Sequence, residues 1–209
     1  MTMPKGTLFI VSGPSGSGKD TVLGRLLAAH PEIQLSISSI TRPMRQGEVE
    51  GEKYHFITRE AFEQMLRENA LLESNVYLGN YYGTPRAPVE AAIAAGRDMI
   101  LEIDVNGAAK VRAQLPEAVS IFIMPPSLEV LEQRLSGRGT EDAETVRGRL
   151  KEAVGEIARA VDYDYIVVND DLDEAVESLT AVIVGQRAKI ARQNYLIDEV
   201  LQDVKSRNW

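Results

Sequence analysis

The sequence contains no cysteine, two histidines and a single tryptophan, and it has no long apolar run. Without cysteine there are neither disulfides nor thiolate metal sites. His30 precedes Pro31 at a helix end and His55 sits in a strand-like run. Neither has a partner at ligand spacing, so both read as structural. Trp209 ends the chain, where fraying and docking are equally open. No apolar stretch approaches the roughly 20 residues of a membrane span, and the opening "MTMPKG" is too short and polar for a signal peptide. These absences predict a cytoplasmic protein with no membrane contact. Positive charge is also in deficit: 23 Lys and Arg stand against 31 Asp and Glu, a net charge of −8. Nonspecific binding to nucleic acid is disfavoured, since that partner is itself a polyanion. Any anionic ligand must then be held by a local basic pocket. No internal repeat or low-complexity tract is present.

With 209 residues and 44% hydrophobic content, the chain can bury one substantial core with small appended subdomains. "TLFIVS" (Thr7 to Ser12) is a short, β-favouring apolar run, and Lys19 to Ala29 follows with Val22, Leu23, Leu26 and Leu27 at helical spacing. Pro31 ends that helix. "DMILEID" (Asp98 to Asp104), "AVSIFIM" (Ala118 to Met124) and "YIVVN" (Tyr165 to Asn169) read as buried parallel strands among helical patterns. The alternation predicts an α/β fold with an open parallel sheet flanked by helices, whose ligands bind at the carboxyl ends of the strands. Two stretches break the rhythm. Residues 38–88, with one helix from about Arg59 to Glu68, read as an inserted subdomain. "RLSGRGTEDAETVRGRL" (Arg134 to Leu150) reads as a helical hairpin or lid with a glycine-rich centre. From Leu172 to about Val204 the pattern is mostly helical, in one or two helices.

"GPSGSGKDT", Gly13 to Thr21, joins the first strand to the first helix. A glycine-rich turn there aims backbone N–H groups of Gly13, Pro14's neighbour Ser15, Gly16, Ser17 and Gly18 at one point, and the helix N-terminus adds partial positive charge. Lys19 can reach the outer phosphates of a nucleotide. Asp20 departs from the pattern, which places Ser or Thr after the lysine to ligate Mg²⁺. Thr21 brings a hydroxyl one residue later. The Asp20 carboxylate either complements the positive helix end or serves as a hard oxygen ligand for Mg²⁺. The first reading suffices, because Mg²⁺ between two phosphates needs few protein ligands.

Six ordered motifs, "GPSGSGKDT", "SSITRPMRQGEVEGEKYHF", "ESNVYLGNYYGTP", "LEIDVNG", "RLSGRG" and "YDYIVVNDD", cover nearly the whole chain and resemble guanylate kinase, in the nucleoside monophosphate kinase group of P-loop NTPase-type proteins. The resemblance implies a core ATP-binding domain of residues 1–37, 89–127 and 161–209, a GMP-binding subdomain of 38–88 and a lid of 128–160. In that family the loop sometimes reads G-K-G-T, so Asp20 replaces a glycine in a tolerated variant.

The resemblance also implies roles. The GMP phosphate is held by Arg42, Arg45, Tyr54 and Tyr82, and the chemistry agrees: guanidinium forks bind phosphate oxygens in pairs, while phenols donate without adding charge. Glu73 and Asp104 accept from guanine N1–H and the 2-amino group, with Ser38 and Thr84 donating toward O6. Adenine presents the reverse pattern, which would leave buried groups unpaired. Arg134, Arg138 and Arg149 close over the triphosphate, and Arg147 is a weaker candidate. Asn169 falls near the ATP adenine, and Glu102 near the metal, with Asp20 and Thr21.

The implied reaction is transfer of the γ-phosphoryl of ATP to GMP, with Mg²⁺ as cofactor. Two other readings remain in view: a non-catalytic interaction module of the same fold, which would typically lack Lys19, and a related kinase for another small phosphorylated acceptor. The sequence leaves a homo-oligomer open.

Overall fold

The computed structural model describes residues 5–137 and 143–207. Its centre is β1 (Leu8–Ser12), five consecutive buried residues. Alternation along the strand sends Phe9 and Val11 to one face and Leu8 and Ile10 to the other. A strand buried on both faces must be apolar at every position, which is why this run is continuous rather than alternating. Fully burying Phe9, Ile10 and Val11 contributes about 1.5–3 kcal/mol apiece relative to exposure.

Four parallel neighbours complete the main sheet: β2 (Gln34–Leu35), β7 (Met99–Glu102), β8 (Val119–Met124) and β9 (Tyr165–Val168), in the order β2-β7-β1-β8-β9. The expected runs are therefore strands, although Asp98 and residues 103–104 lie beyond the ends of β7. The two-residue edge strand β2 carries too little pattern to be seen in the sequence. One face packs on α1 (Lys19–Ala29) and α7 (Leu172–Arg187), through Val22, Leu23, Leu26, Leu179 and Ile183. The opposite face packs on α3 (Arg86–Ala94) and α4 (Val105–Gln114), through Val89, Ala92, Ala108 and Val111.

Between β2 and α3 the chain builds a second sheet of β3 (Ser38–Ile40), β4 (Tyr54–Phe56), β5 (Leu71–Tyr77) and β6 (Asn80–Pro85), in the order β4-β3-β6-β5. The interruption in the sequence is thus a sheet of its own. α2 (Arg59–Arg67), capped by the Thr58 side chain, covers it by setting Phe62 against Tyr81, rings stacked at 5.1 Å. β5 and β6 form a hairpin whose turn residues Leu78 and Gly79 both have positive φ, 48° and 77°, as a two-residue type I′ turn requires. The expected subdomain limit at 88 falls inside the first turn of α3.

α5 (Leu128–Ser136) and α6 (Ala143–Ala158) share a small core of Leu131, Leu135, Val146 and Ala153. Arg138, the glycine-rich centre's Glu141 and Asp142, and Trp209 lie outside the described residues. The helical C-terminal third divides into α7 and α8 (Ile190–Ser206). Among the described residues no helix is long and apolar enough to cross a membrane.

Candidate active site

The carboxyl ends of β1, β7 and β9 meet at one edge of the main sheet, and the loop from Gly13 to Gly18 closes over it. Its shape is set by contacts that tolerate no side chain. Gly16 and Gly18 have φ of 88° and 82°. A Cβ on Gly13 would lie 2.5 Å from the Ile123 carbonyl oxygen, and one on Gly18 would lie 2.3 Å from Asn169 Nδ2. Ser17 N–H donates to the Pro14 carbonyl at 3.0 Å, tightening the turn. Gly18 caps α1 with backbone alone, so the helix start presents no competing side-chain acceptor to an incoming anion.

Asn169, expected near the ATP adenine, lies beneath this loop. It is buried, its Nδ2 donates to the Ser17 carbonyl at 2.7 Å, and its own carbonyl accepts from Arg134 Nη2 at 3.1 Å. Arg134, expected over the triphosphate, also approaches the Ser17 carbonyl, at 3.4 Å. Both residues therefore brace the loop from behind. Arg149, on α6, reaches the loop's front and donates to Ser15 Oγ at 2.6 Å. Arg147 lies on the same helix.

Lys19 opens α1 and points across the sheet edge to Glu102, with Nζ 2.6 Å from Oε1. Asp20, exposed on the first helical turn, lies 3.7 Å from Lys19 Nζ and 3.1 Å from Lys53 Nζ, and Lys53 in turn lies 3.2 Å from Glu102 Oε2. Hydrogen bonding with the Glu102 carboxyl, then the Lys19 and Lys53 charges, hold the Asp20 carboxyl far below the usual range. Burial opposes charge on Lys53, yet Glu102 and Asp20 push it up to about 12. Asp20 and Glu102 present hard carboxylate oxygens to one point, a donor set that suits Mg²⁺ shared with phosphate. Thr21 is exposed one residue on. Among the described residues no three acidic or histidine side chains gather as a metal site, so any divalent ion must take much of its coordination from phosphate and water.

From this edge a cleft of about 580 Å³ extends to the small sheet. Gly13, Ser15 and Lys19 line one end; Ser38, Arg42, Arg45, Tyr54 and Tyr82 line the other. Glu73 and Asp104 lie on its wall. Most residues assigned by resemblance are thus brought to one space, although they span 137 positions from Gly13 to Arg149. The cleft is not simply basic, as the net charge led us to expect. Glu73, Glu102, Asp104, Glu152 and Glu156 face Lys19, Arg42, Arg45 and Arg149. Cations converging without an anion would repel one another, and here carboxylates of the chain offset that repulsion.

Arg42 shows this directly. Its two terminal nitrogens engage Glu48 as a fork, at 2.6 and 2.5 Å, and its guanidinium lies 5.4 Å from the Tyr54 ring centre and 5.5 Å from that of Phe56. Glu48 raises the Arg42 pKa; reciprocally Arg42, then the Arg45 N–H, draw the Glu48 carboxyl down to about 2. Burial raises the Tyr54 phenol, keeping it a neutral donor.

Glu73 is buried at the end of β5's apolar stretch. Burial, with Asp104 adding, raises its pKa, while Thr84 counters by donating to Oε1 at 2.8 Å. Thr84 is itself fully buried, and its hydroxyl bond to Glu73 orients that carboxylate. Asp104 caps α4: Oδ1 accepts from the Asn106 and Gly107 N–H groups, both at 2.8 Å, and Oδ2 accepts from Asn75 Nδ2 at 2.6 Å.

Five participants escaped the sequence reading. Lys53, Asn75 and Gly107 are recognisable only by what they touch. Glu152 and Glu156 enter the cleft from α6, and their i, i+4 spacing was the one available signal. Burial, then Asp104 and Glu152, push Glu156 up to about 7, against Lys19 and a hydrogen bond from the Ser15 N–H.

A family profile described as Guanylate kinase matches residues 5–186. The guanylate kinase of Neisseria meningitidis serogroup A is 49% identical over 199 residues, covering 95% of this chain and 97% of that protein. That of Symbiobacterium thermophilum is 48% identical, covering 95% and 94%. Among solved structures, the crystal structure of guanylate kinase from Anaplasma phagocytophilum aligns with a TM-score of 0.75 at 33% identity, covering 91% of each chain.

Proposed function

The chain belongs to the guanylate kinase family and is an ATP:GMP phosphotransferase, giving ADP and GDP; we propose that the cleft between the phosphate loop and the small sheet carries that reaction, with the following division of roles. Residues 38–88 bind GMP, residues 128–160 form a lid, and 1–37, 89–127 and 161–209 bind ATP. The observation that carries this reading is the buried Glu73 carboxylate, braced by Thr84 at one end of a cleft whose other end is Lys19 and the phosphate loop.

GMP enters with its phosphate toward Arg42, Arg45, Tyr54 and Tyr82. Arg42 has five N–H groups and can share its fork between Glu48 and a phosphate. Glu73 and Asp104 accept from N1–H and the 2-amino group of guanine, and Ser38 faces O6. Adenine at the same place would set an N1 lone pair against a carboxylate and strand both. ATP places its phosphates against the N–H groups of Gly13 to Gly18. Lys19 exchanges Glu102 for the outer phosphates, and Arg149, with Arg138 from the same lid, neutralises the transferring group.

No general base is needed, because the acceptor is already an anionic phosphate oxygen. The chain's task is to bring two polyanions into line and exclude water. Asp20, Thr21 and Glu102 would hold Mg²⁺, which would supply positive charge against the phosphates. The setting we propose is cytoplasmic, with ATP and GMP as partners.

A coupled ADP-release assay across GMP, AMP, CMP and UMP tests this division. GMP is the expected acceptor, and Lys19→Ala is expected to remove turnover from a folded protein. Preference for AMP, or near-normal turnover by the folded Lys19 variant, would overturn the assigned roles.

A further inference from the structure

Asp20 places a full negative charge on the first turn of α1, beside the point where triphosphate charge must be received. An isolated carboxylate there would repel the phosphates that the loop is shaped to attract. The counter-charge comes from a distant part of the chain. Lys53, just before β4, sets its ammonium 3.1 Å from Asp20 and 3.2 Å from Glu102. Lys19 stands on the other side, 3.7 Å from Asp20 and 2.6 Å from Glu102. Two ammoniums and two carboxylates thus alternate around one point.

On the functional reading above, we propose that Lys53 is a positioning residue for phosphoryl transfer, matched to Asp20 and acting through Asp20 and Glu102. Three observations support this. The Lys53 and Asp20 side chains are 43% and 66% exposed, and ion pairs so open to water add little to fold stability. Lys53 also directly precedes Tyr54, whose ring lies under Arg42, and its carbonyl accepts from the Ser38 N–H at 3.3 Å. The ion pair ties the strand bearing acceptor-site residues to the helix bearing the donor-site lysine. Finally, Lys53 shares Glu102 with Lys19. Two cations on one carboxylate repel each other, which weakens the hold of Glu102 on Lys19 and leaves that ammonium available to phosphate.

The test is a double-mutant cycle of Lys53→Met, Asp20→Ser and the pair, with Lys53→Arg and Lys53→Gln beside them. Steady-state kcat and KM for ATP and for GMP are read over a range of Mg²⁺, ATP affinity is read by calorimetry in EDTA, and thermal unfolding controls for folding. Lys53→Met is expected to lower kcat/KM about tenfold and to weaken ATP binding in EDTA, Lys53→Gln to behave alike, and Lys53→Arg to retain most activity. Asp20→Ser is expected to raise the Mg²⁺ requirement by itself, and the loss in the pair is expected to fall well short of the product of the two single losses. Unchanged activity in Lys53→Met, or losses that multiply without recovery in the pair, overturn the inference while leaving the kinase reading intact. Absence of GDP formation by the unsubstituted chain overturns both.

Discussion

Gly107 turns bare backbone toward Glu73: a Cβ built at that position would lie 2.9 Å from Glu73 Oε2 and 3.3 Å from its carboxyl carbon. Gly107 sits in the first turn of α4, where its N–H also donates to Asp104. One residue thus gives room to the Glu73 carboxylate while fixing that of Asp104. Glu73 is the movable partner of the clash, so an added methyl displaces the carboxylate and not the helix.

Gly107→Ala is therefore expected to raise KM for GMP about tenfold, with little change in KM for ATP. Alanine is the better helix former by roughly 0.8–1 kcal/mol, which offsets the crowding and keeps the melting temperature near its original value. Steady-state kinetics beside a thermal melt check this. A large fall in melting temperature with unchanged KM for GMP would show that the helix moves and Glu73 does not.

Asn169→Ala removes the donor that braces the Ser17 carbonyl. A buried carbonyl deprived of one partner costs about 1–3 kcal/mol, here reduced because Arg134 also approaches Ser17. We expect about 1–2 kcal/mol of lost stability by urea unfolding, together with a raised KM for ATP. A variant as stable as the original with ATP binding intact contradicts the brace.

Glu48 holds the Arg42 fork, so Glu48→Ala leaves that guanidinium free to swing. The expected result is a several-fold rise in KM for GMP, with Glu48→Gln in between because an amide keeps one acceptor. The pH dependence follows from the carboxyl's depressed value of about 2. A depressed acid contributes stability that is present above its unfolded pKa and is lost as pH falls toward the folded one. The difference between wild type and Glu48→Gln is thus flat through neutrality and closes only in strong acid, as unfolding curves from pH 7 down to pH 2 would reveal.

Glu156 has the opposite sign. Its pKa is raised to about 7, by burial first and then by Asp104 and Glu152. Below the unfolded carboxyl value the two states are equally protonated. As pH rises from there through 7, the folded protein retains a proton that the unfolded chain releases readily, so stability falls. Glu156→Gln removes this dependence and is expected to be the more stable form above pH 7, by on the order of 1 kcal/mol once solvent screening of a half-exposed group is allowed for. Parallel stability profiles for the two proteins between pH 5 and 8 are the contrary outcome.

Much of the framework could be read directly from residue order. Lys19–Ala29 is the first helix at both ends, because Gly18 and Pro31 bracket an unbroken helical pattern. The buried strands announced themselves as continuous apolar runs. The β5–β6 hairpin did not, since its turn uses Leu78 at positive φ rather than the Asn or Asp that would have marked it. The resemblance named Thr84, Asn169 and Arg134 as site residues. It could not say that the first orients Glu73 and that the other two support the loop from behind.

Chain order alone marked the loop from Gly13 to Gly18 as the candidate phosphate site, because three closely spaced glycines between a strand and a helix keep the backbone clear of obstructing side chains. It settled the apolar periodicity of the core for the same local reason. The pairing of charges was decided only by folding: Lys53 with Asp20, Arg42 with Glu48 and Asn75 with Asp104 follow from where strands and helix ends come together. Coulombic and hydrogen-bond energies depend on separation in space, and separation along the chain does not encode it.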